Sequence, residues 1–274
     1  MTADMPLLNQ FIALALAAGR EILAVRDQGF DTDHKRDGSP VTLADQRAEA
    51  VIEAGLHRLA PEIPMLGEEA VEAGRIPNLG ARFFCVDPLD GTKGFARGGD
   101  QFTVNIALIE DGAPRVGVVF APASGDMYAG EPGQALAGRY DGRTGAVLNP
   151  LCPIRTVRAA PERWRIVASE DSGRNEATSS FIAALDGAPA HASSSIKFCR
   201  IAEGSAELYP RFGDVCEWDV AAGHAVLAAA GGDIMDLAGK PLRYGGAHGR
   251  FLVPGFVAYA NEAAKAAALA ALKR

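Results

Sequence analysis

Apolar residues recur at helical spacing from Leu7 to Val25, with polar residues interleaved. The same spacing returns from Thr42 to Leu59, where Pro40 stands just ahead of the run and Pro61 closes it. These two segments predict an N-terminal pair of helices. The period then changes. Arg82 to Val86 is dominated by apolar residues and predicts a buried strand. Thr103 to Ile109 and Arg115 to Phe120 are short, β-rich runs set off by Gly, Pro and Asp. Glu110-Asp111-Gly112 between them predicts a hairpin turn, and Met127 to Ala129 and Ala135 to Leu136 extend the antiparallel sheet. A Gly- and Pro-rich zone, Gly138 to Pro153, reads as a junction between an N-terminal α+β half, residues 1–143, and a C-terminal α/β half, residues 144–274. Beyond it the pattern predicts a strand at Arg165–Ala168, helices at Glu176–Leu185 and Ile196–Ala202, and a strand at Glu207–Tyr209. A long helix follows at Asp219–Ala230, capped by Gly231-Gly232, and a terminal helix at Asn261–Lys273. Periodicity alone leads to an α+β chain with two sheets and no internal repeat.

Composition narrows the classes. Of 274 residues 48% are hydrophobic, and the mean hydropathy of +0.04 fits a soluble protein with a sizeable core. A formal charge of −7 and a pI near 5.3 argue against binding duplex nucleic acid or anionic membranes by general electrostatics. The four cysteines, at 85, 152, 199 and 216, form no Cys-x-x-Cys pair, and no His lies at zinc-ligand spacing. Cys85 and Cys199 sit in apolar segments and read as reduced core residues. The apolar stretch Phe11 to Ala18 falls far short of the roughly 20 residues that span a bilayer. A cytoplasmic protein is expected, with peripheral contact at the inner membrane left open.

The chemistry concentrates in Asp87-Pro88-Leu89-Asp90-Gly91-Thr92-Lys93-Gly94-Phe95. Two carboxylates at a strand end can enter one space, Pro88 stiffens the path between them, and Gly91 permits a tight turn. They are hard oxygen ligands suited to Mg2+, and a phosphate there would meet the Gly91 and Thr92 N–H groups. An EF-hand loop from Asp87 is excluded, because positions 88, 89 and 98 are Pro, Leu and Gly. An aspartyl-phosphate Asp-x-Asp-Gly-Thr motif is excluded too, since Pro88 occupies the nucleophile's place. Three further segments join: Asp37 to Asp45 at a helix start, Gly67-Glu68-Glu69 after a short apolar stretch, and Trp218-Asp219 opening an Ala-rich helix. Asp45, Glu68, Asp87, Asp90 and Asp219 are thus five candidate carboxylates, costly to cluster unless divalent cations keep them ionised. His224, five residues after Asp219 on an apolar helix, reads as a core histidine.

In order and spacing, these four segments resemble the inositol monophosphatase superfamily of Mg2+-dependent, Li+-sensitive phosphatases, from about Lys35 to about Tyr244. Within it, Lys93 after Asp-Gly-Thr, Phe102 to Ile109, Gly117 to Pro122, and Ser195 to Phe212 are most similar to the CysQ-type 3'(2'),5'-bisphosphate nucleotidases. The resemblance implies a layered αβαβα sandwich with the site between its halves. It implies that Glu68, Asp87 and the Leu89 carbonyl hold one Mg2+ and that Asp87, Asp90 and Asp219 hold a second. A third, weaker ion is expected near Glu68. Asp45 and Thr92 would activate water, Gly91 and Thr92 N–H groups would hold phosphate oxygens, and Lys35 would add positive charge. Ser194 and Lys197 would face a second phosphate, and Arg211 the nucleotide. The implied reaction removes the 3'-phosphate of adenosine 3',5'-bisphosphate, giving AMP and phosphate, with the sulfated form linking it to sulfate assimilation. An inositol or sugar phosphatase is the alternative, and a non-catalytic metal or nucleotide sensor is a third reading that the intact acidic set argues against. Two departures bear on substrate contacts. The chain has Ser169-Glu170-Asp171-Ser172 where many relatives have Ser-Arg-Ser-His, and Gly94 where they carry Glu.

Overall fold

The computed structural model describes residues 5–30, 32–34, 40–169, 175–246 and 251–273, with only the backbone described at 32–34, 40 and 41. The chain opens with α1 (Leu7–Gln28), whose last turn runs past the Val25 expected from periodicity, and a short hairpin of β1 (Thr32–His34) and β2 (Pro40–Thr42). Thr42 then starts α2 (Leu43–Leu59). Its hydroxyl accepts from Ala44 N–H, while Asp45 Oδ2 accepts from the Thr42 N–H and hydroxyl, so a carboxylate is fixed in the helix's first turn.

Two sheets follow. The first has seven strands in the order β3 to β9: β3 (Met65–Gly67), β4 (Arg82–Asp90), β5 (Thr103–Glu110), β6 (Ala113–Ala121), β7 (Asp126–Glu131), β8 (Gln134–Tyr140) and β9 (Val147–Pro153). Only β3 and β4 run parallel. Short helices α3 (Glu68–Glu72) and α4 (Thr92–Ala96) leave the ends of β3 and β4. The second sheet has five strands in the order β11-β10-β12-β16-β14: β10 (Arg165–Ala168), β11 (Ala188–His191), β12 (Leu208–Arg211), β14 (Asp233–Asp236) and β16 (Phe256–Tyr259). A two-stranded ribbon of β13 (Val215–Cys216) and β15 (Leu252–Val253) stands beside it. Four more helices complete the chain: α5 (Glu176–Ala184), α6 (Ile196–Ala202), α7 (Trp218–Ala230) and α8 (Glu262–Ala271).

Alternation along the strands builds the layers. Phe84 and Val86 of β4 pack with α1 and α2 on one face, whereas Phe83 and Cys85 pack with α6 and α7 on the other. Val167, Tyr209 and Phe256 of the second sheet close on α6 and α7 from the far side. Ile166, Leu208 and Val257 turn outward onto Phe181 of α5 and Ala264 and Ala268 of α8. The result is the expected αβαβα sandwich, with α6 and α7 in the middle layer. β9 falls inside the segment read as a junction, and the first sheet therefore runs past the expected division at 143/144 to Pro153. By length and composition alone α1 could cross a membrane, but Phe11, Ala15, Ile22 and Leu23 are buried against the sheet.

The middle layer is close-packed. Gly117 and Gly130 are paired across β6 and β7, and α7 lies directly on them. A Cβ on Gly117 would stand 2.6 Å from the Ala225 methyl and 2.7 Å from the Ala222 carbonyl oxygen. Gly117→Val is expected to destabilise the fold by about 2 kcal/mol or more in urea unfolding, with a parallel loss of activity as α7 shifts. Wild-type stability in this variant would contradict the close approach.

Candidate active site

The carboxylates converge because β4 breaks its own period. Residues three apart on a regular strand face opposite sides of the sheet. Here Asp87 pairs with Asn105 and Asp90 with Thr103, so three steps on β4 match two on β5. This one-residue bulge brings Asp87 and Asp90 to the same face. Pro88, which has no N–H, sits within the bulge, and Leu89 N–H donates to Asp87 Oδ1 at 2.9 Å. Gly91 follows at φ +99° and leads into α4. A Cβ there would lie 2.6 Å from Ser194 Oγ.

Parallel pairing of β3 with β4 sets Gly67 beside Val86, so Glu68 and Asp87 leave the sheet side by side. Glu49 of α2, only 2% exposed, braces this turn by accepting from Glu69 N–H at 2.8 Å and from Ala70 N–H. Asp219 enters from the first turn of α7, its Oδ2 accepting from Cys216 N–H at 2.9 Å. Ser195 ties the halves together: its hydroxyl lies 3.3 Å from Asp90 Oδ2 and 3.0 Å from the Asp219 carbonyl oxygen.

Electrostatics shows how close these acids are. Burial, then the charges of Glu68, Asp90 and Asp219, push the Asp87 carboxyl well above the usual carboxylate range. A proton on Asp87 is in position to be donated to Glu68 or Asp219. Asp219 is raised to about 8, first by burial and then by Asp90 and Glu68. Asp90 is also raised by burial, against the pull of Lys197, of the Ser195 N–H and hydroxyl, and of the nearby Asn105 amide, which stands outside hydrogen-bond geometry. Each side chain is anchored by its own backbone or hydroxyl donor, and no three His, Cys, Asp or Glu side chains among the described residues are already gathered to hold one ion. The donor set itself is all hard oxygen and carries excess negative charge, which fits Mg2+.

Asp45 and Thr92 also meet. Asp45 is 1% exposed, with Oδ2 committed to Thr42 and Oδ1 3.0 Å from the Thr92 hydroxyl. That hydroxyl also lies 2.9 Å from the Leu89 carbonyl oxygen, so its single proton serves one of the two at a time.

Beside the acids opens a cleft of about 500 Å3, lined by Asp90, Gly91, Asp219, Lys93, Arg97, Ser194, Lys197, Tyr209 and Arg211 among others. Lys197 is 5% exposed, with its ammonium 5.2 Å from the Tyr209 ring centre. Burial lowers its pKa to about 8, opposed by Asp90. Arg211 donates to the carbonyls of Gly213 and Asp214, and Ser194 Oγ donates to the Asp90 carbonyl at 3.0 Å. Lys93 and Arg97, one turn apart on and just after α4, add positive charge that was not expected from the sequence as part of the site. Ser169 and Gly94 line the same cleft, so both departures fall at its wall. Lys35, Glu170, Asp171 and Ser172 lie outside the described residues. His224 is a core residue as expected, 2.7 Å from Asp233 Oδ1 and 2.9 Å from the Tyr244 hydroxyl.

Comparison with known proteins shows the family of the chain. The sequence model of the inositol monophosphatase family matches residues 4–274. The 3'(2'),5'-bisphosphate nucleotidase CysQ of Shigella flexneri is 42% identical over 256 residues, covering 91% of this chain and 98% of its own. CysQ of Escherichia coli K12 is 41% identical with the same coverage. Among solved structures, CysQ from Bacteroides thetaiotaomicron superposes with a TM-score of 0.75 at 33% identity, over 92% of this chain and 96% of its own. An inositol monophosphatase from Anabaena superposes with a TM-score of 0.73 at 24% identity, over 97% of this chain and 94% of its own, a likeness of fold alone.

Proposed function

The chain belongs to the inositol monophosphatase family, and from that premise we propose that it removes the 3'-phosphate of adenosine 3',5'-bisphosphate, releasing AMP and inorganic phosphate. The observation that carries this reading is one cleft lined both by Asp90 and Asp219 of the buried acidic cluster and by Lys93, Arg97, Lys197 and Arg211. A substrate with two phosphates needs cationic side chains beyond those at the reacting centre, and these four provide them. Kinship with bisphosphate nucleotidases at 41–42% identity over 91% of the chain supports the same substrate.

Glu68, Asp87, Asp90, Asp219 and the Leu89 carbonyl would hold two Mg2+ ions, with a third, weaker one near Glu68. When bound, these ions supply charge neutralisation on the phosphate and a more acidic bound water. The protein's own part is orientation and proton handling. Thr92 donates its hydroxyl proton to Asp45, which leaves its lone pairs to accept from an attacking water. The buried carboxylate behind it makes that hydroxyl a better acceptor. The Gly91 and Thr92 N–H groups precede the first intrahelical bonds of α4, which Gly94 and Phe95 N–H make to the Gly91 carbonyl. They are therefore available to phosphate oxygens. Lys197 and Ser194 face the second phosphate, and Arg211 approaches the nucleoside. Lys35 would add positive charge, as the family resemblance implies. The enzyme works in the cytoplasm on a small soluble phosphate.

Phosphate release measured on adenosine 3',5'-bisphosphate, inositol 1-phosphate and fructose 1,6-bisphosphate, with Mg2+ present and absent, tests the assignment. The bisphosphate nucleotide should be turned over fastest and only with Mg2+, and preference for either sugar phosphate would overturn the substrate. Thr92→Ala is expected to lower kcat about 100-fold with little change in KM, and Thr92→Ser to restore most of it. A Thr92→Ala enzyme within a few-fold of wild type would remove the hydroxyl from the reaction.

A further inference from the structure

Two polar side chains on β5 have no part in the hydrolysis derived above, yet they lie directly behind its acids. Thr103 and Asn105 are both fully buried. They are the register partners of Asp90 and Asp87, on the face to which the β4 bulge turns both carboxylates. The next residues along that face, Ala107 and Ile109, belong to the apolar middle of the sandwich. Neither the Asn105 Oδ1 nor its Nδ2 has a protein partner in hydrogen-bond geometry among the described residues, and the Thr103 hydroxyl has none either. A buried amide without partners costs stability. Leucine, close to Asn in size, would fill the position at no such cost. The Asn105 side chain leaves β5 on the carboxylate face, directly across from Asp87 and one pair along from Asp90, near whose carboxyl its amide lies.

We infer that Asn105 is a positioning residue for metal binding, its amide steering the Asp90 carboxylate from behind so that its oxygens face the ion shared with Asp87. The inference rests on the reading of Asp87 and Asp90 as Mg2+ ligands. Asn105 touches neither substrate nor the reacting atoms. Its effect is on how well the acids are aimed, and an outer-shell group of this kind typically changes metal affinity 10- to 100-fold. Thr103, beside Asp90 on the same face, offers a hydroxyl to the same polar pocket.

The test separates aiming from packing. Wild type, Asn105→Leu and Asn105→Ser are freed of metal with chelator, and Mg2+ is titrated back while Tm is read. The same titration is then followed by phosphate release. Asn105→Leu is expected to raise the chelator-treated Tm by about 2–4 °C, because unpaired polar atoms leave the core. It should also raise the Mg2+ concentration for half-maximal Tm shift and for half-maximal turnover by about tenfold or more, with substrate KM at saturating Mg2+ within about twofold. Asn105→Ser, which keeps a hydroxyl donor and leaves room for a water, should recover part of the Mg2+ affinity. A Leu variant with wild-type Mg2+ half-saturation, whatever its Tm, would overturn the inference. If the Leu variant does not fold, a Ser variant with unchanged half-saturation overturns it equally. A wild-type chain that Mg2+ does not stabilise would overturn the ligand reading first, and this inference with it.

Discussion

Asp87→Asn is expected to cut Mg2+-dependent phosphate release from adenosine 3',5'-bisphosphate at least about 1,000-fold while raising the Tm of the chelator-treated protein. The two effects have one cause. Asp87 is 1% exposed, and burial together with Glu68, Asp90 and Asp219 disfavours its charge. Asparagine has the same shape and no charge to desolvate, so the fold is relieved of strain that it carries for the sake of the site. The same change removes the carboxylate placed between Glu68 and Asp219, which the proposed chemistry requires as a shared ligand. A 1,000-fold loss corresponds to about 4 kcal/mol of transition-state stabilisation, within reach of removing one shared metal ligand. Comparing thermal melts with phosphate release in one preparation checks both halves. Retained turnover would show that the acids do not act together, and a lowered Tm would show that Asp87 is there for packing.

The second large effect is on stability against pH. Asp219, raised to about 8 from 3.8, and Glu49, raised to about 7 from 4.5, both hold protons more tightly in the folded chain than in the unfolded one. Asp87 and Asp90 are shifted the same way. For such groups the folded state binds more protons than the unfolded state between the two pKa values, so stability falls as pH rises. Their contribution is complete below about pH 4 and is lost as pH climbs through about 7–8. In chelator, Tm is therefore expected to drop by about 5–10 °C between pH 5.5 and pH 8.5. Saturating Mg2+ should flatten the slope, because a cation replaces the protons the acids would otherwise share. The Mg2+-induced rise in Tm then grows with pH. Thermal melts at several pH values, each with chelator and with Mg2+, would show it. A metal-free Tm that is flat or rising across this window would contradict the clustering of these carboxylates.

Much of the frame was legible in the chain. α1, α2, β4 to β6 and α7 carry strong periods over many residues, and burial against a sheet enforces what the pattern suggests. β9 was not legible. It is an edge strand with mostly exposed side chains, Pro150 and Pro153 read as breakers, and only its pairing with β8 makes it a strand. β13 and β15, two residues each, are too short to show any period. α4 was hidden by Gly91 and Gly94, although Gly91 starts it.

The site divides along the same physical line. Asp45, Glu68, Asp87, Asp90, Thr92 and Asp219 stand in motifs with recognisable spacing; the structure makes Glu68, Asp90 and Asp219 the charged neighbours of Asp87 and sets Asp45 against Thr92. Glu49 stands in no such motif, and Ser195 and Asn105, though inside stretches similar to the CysQ type, are not singled out there as site residues. A single serine after a serine, a glutamate inside an amphipathic helix and an asparagine inside a strand each have an ordinary reading in sequence. What marks them is the tertiary pairing: Asn105 opposite Asp87, Glu49 against the α3 turn, Ser195 between Asp90 and Asp219. The bulge that aims two acids the same way is equally a matter of register, which no local pattern encodes.

The narrow helix in the middle of the sandwich limits where this protein can be hardened. α7 lies on Gly117 and Gly130 of β6 and β7 with Ala222, Ala225 and Ala229 at the closest approach. Over these glycines the separation of α7 from the first sheet is set by methyl groups and backbone, with no slack for a larger side chain there. Directed selection for heat resistance would thus find few acceptable substitutions at the centre. Its gains should accumulate on the outer helices α1, α2, α5 and α8, whose solvent sides are unconstrained, leaving the inner gallery unchanged from parent to thermophilic descendant.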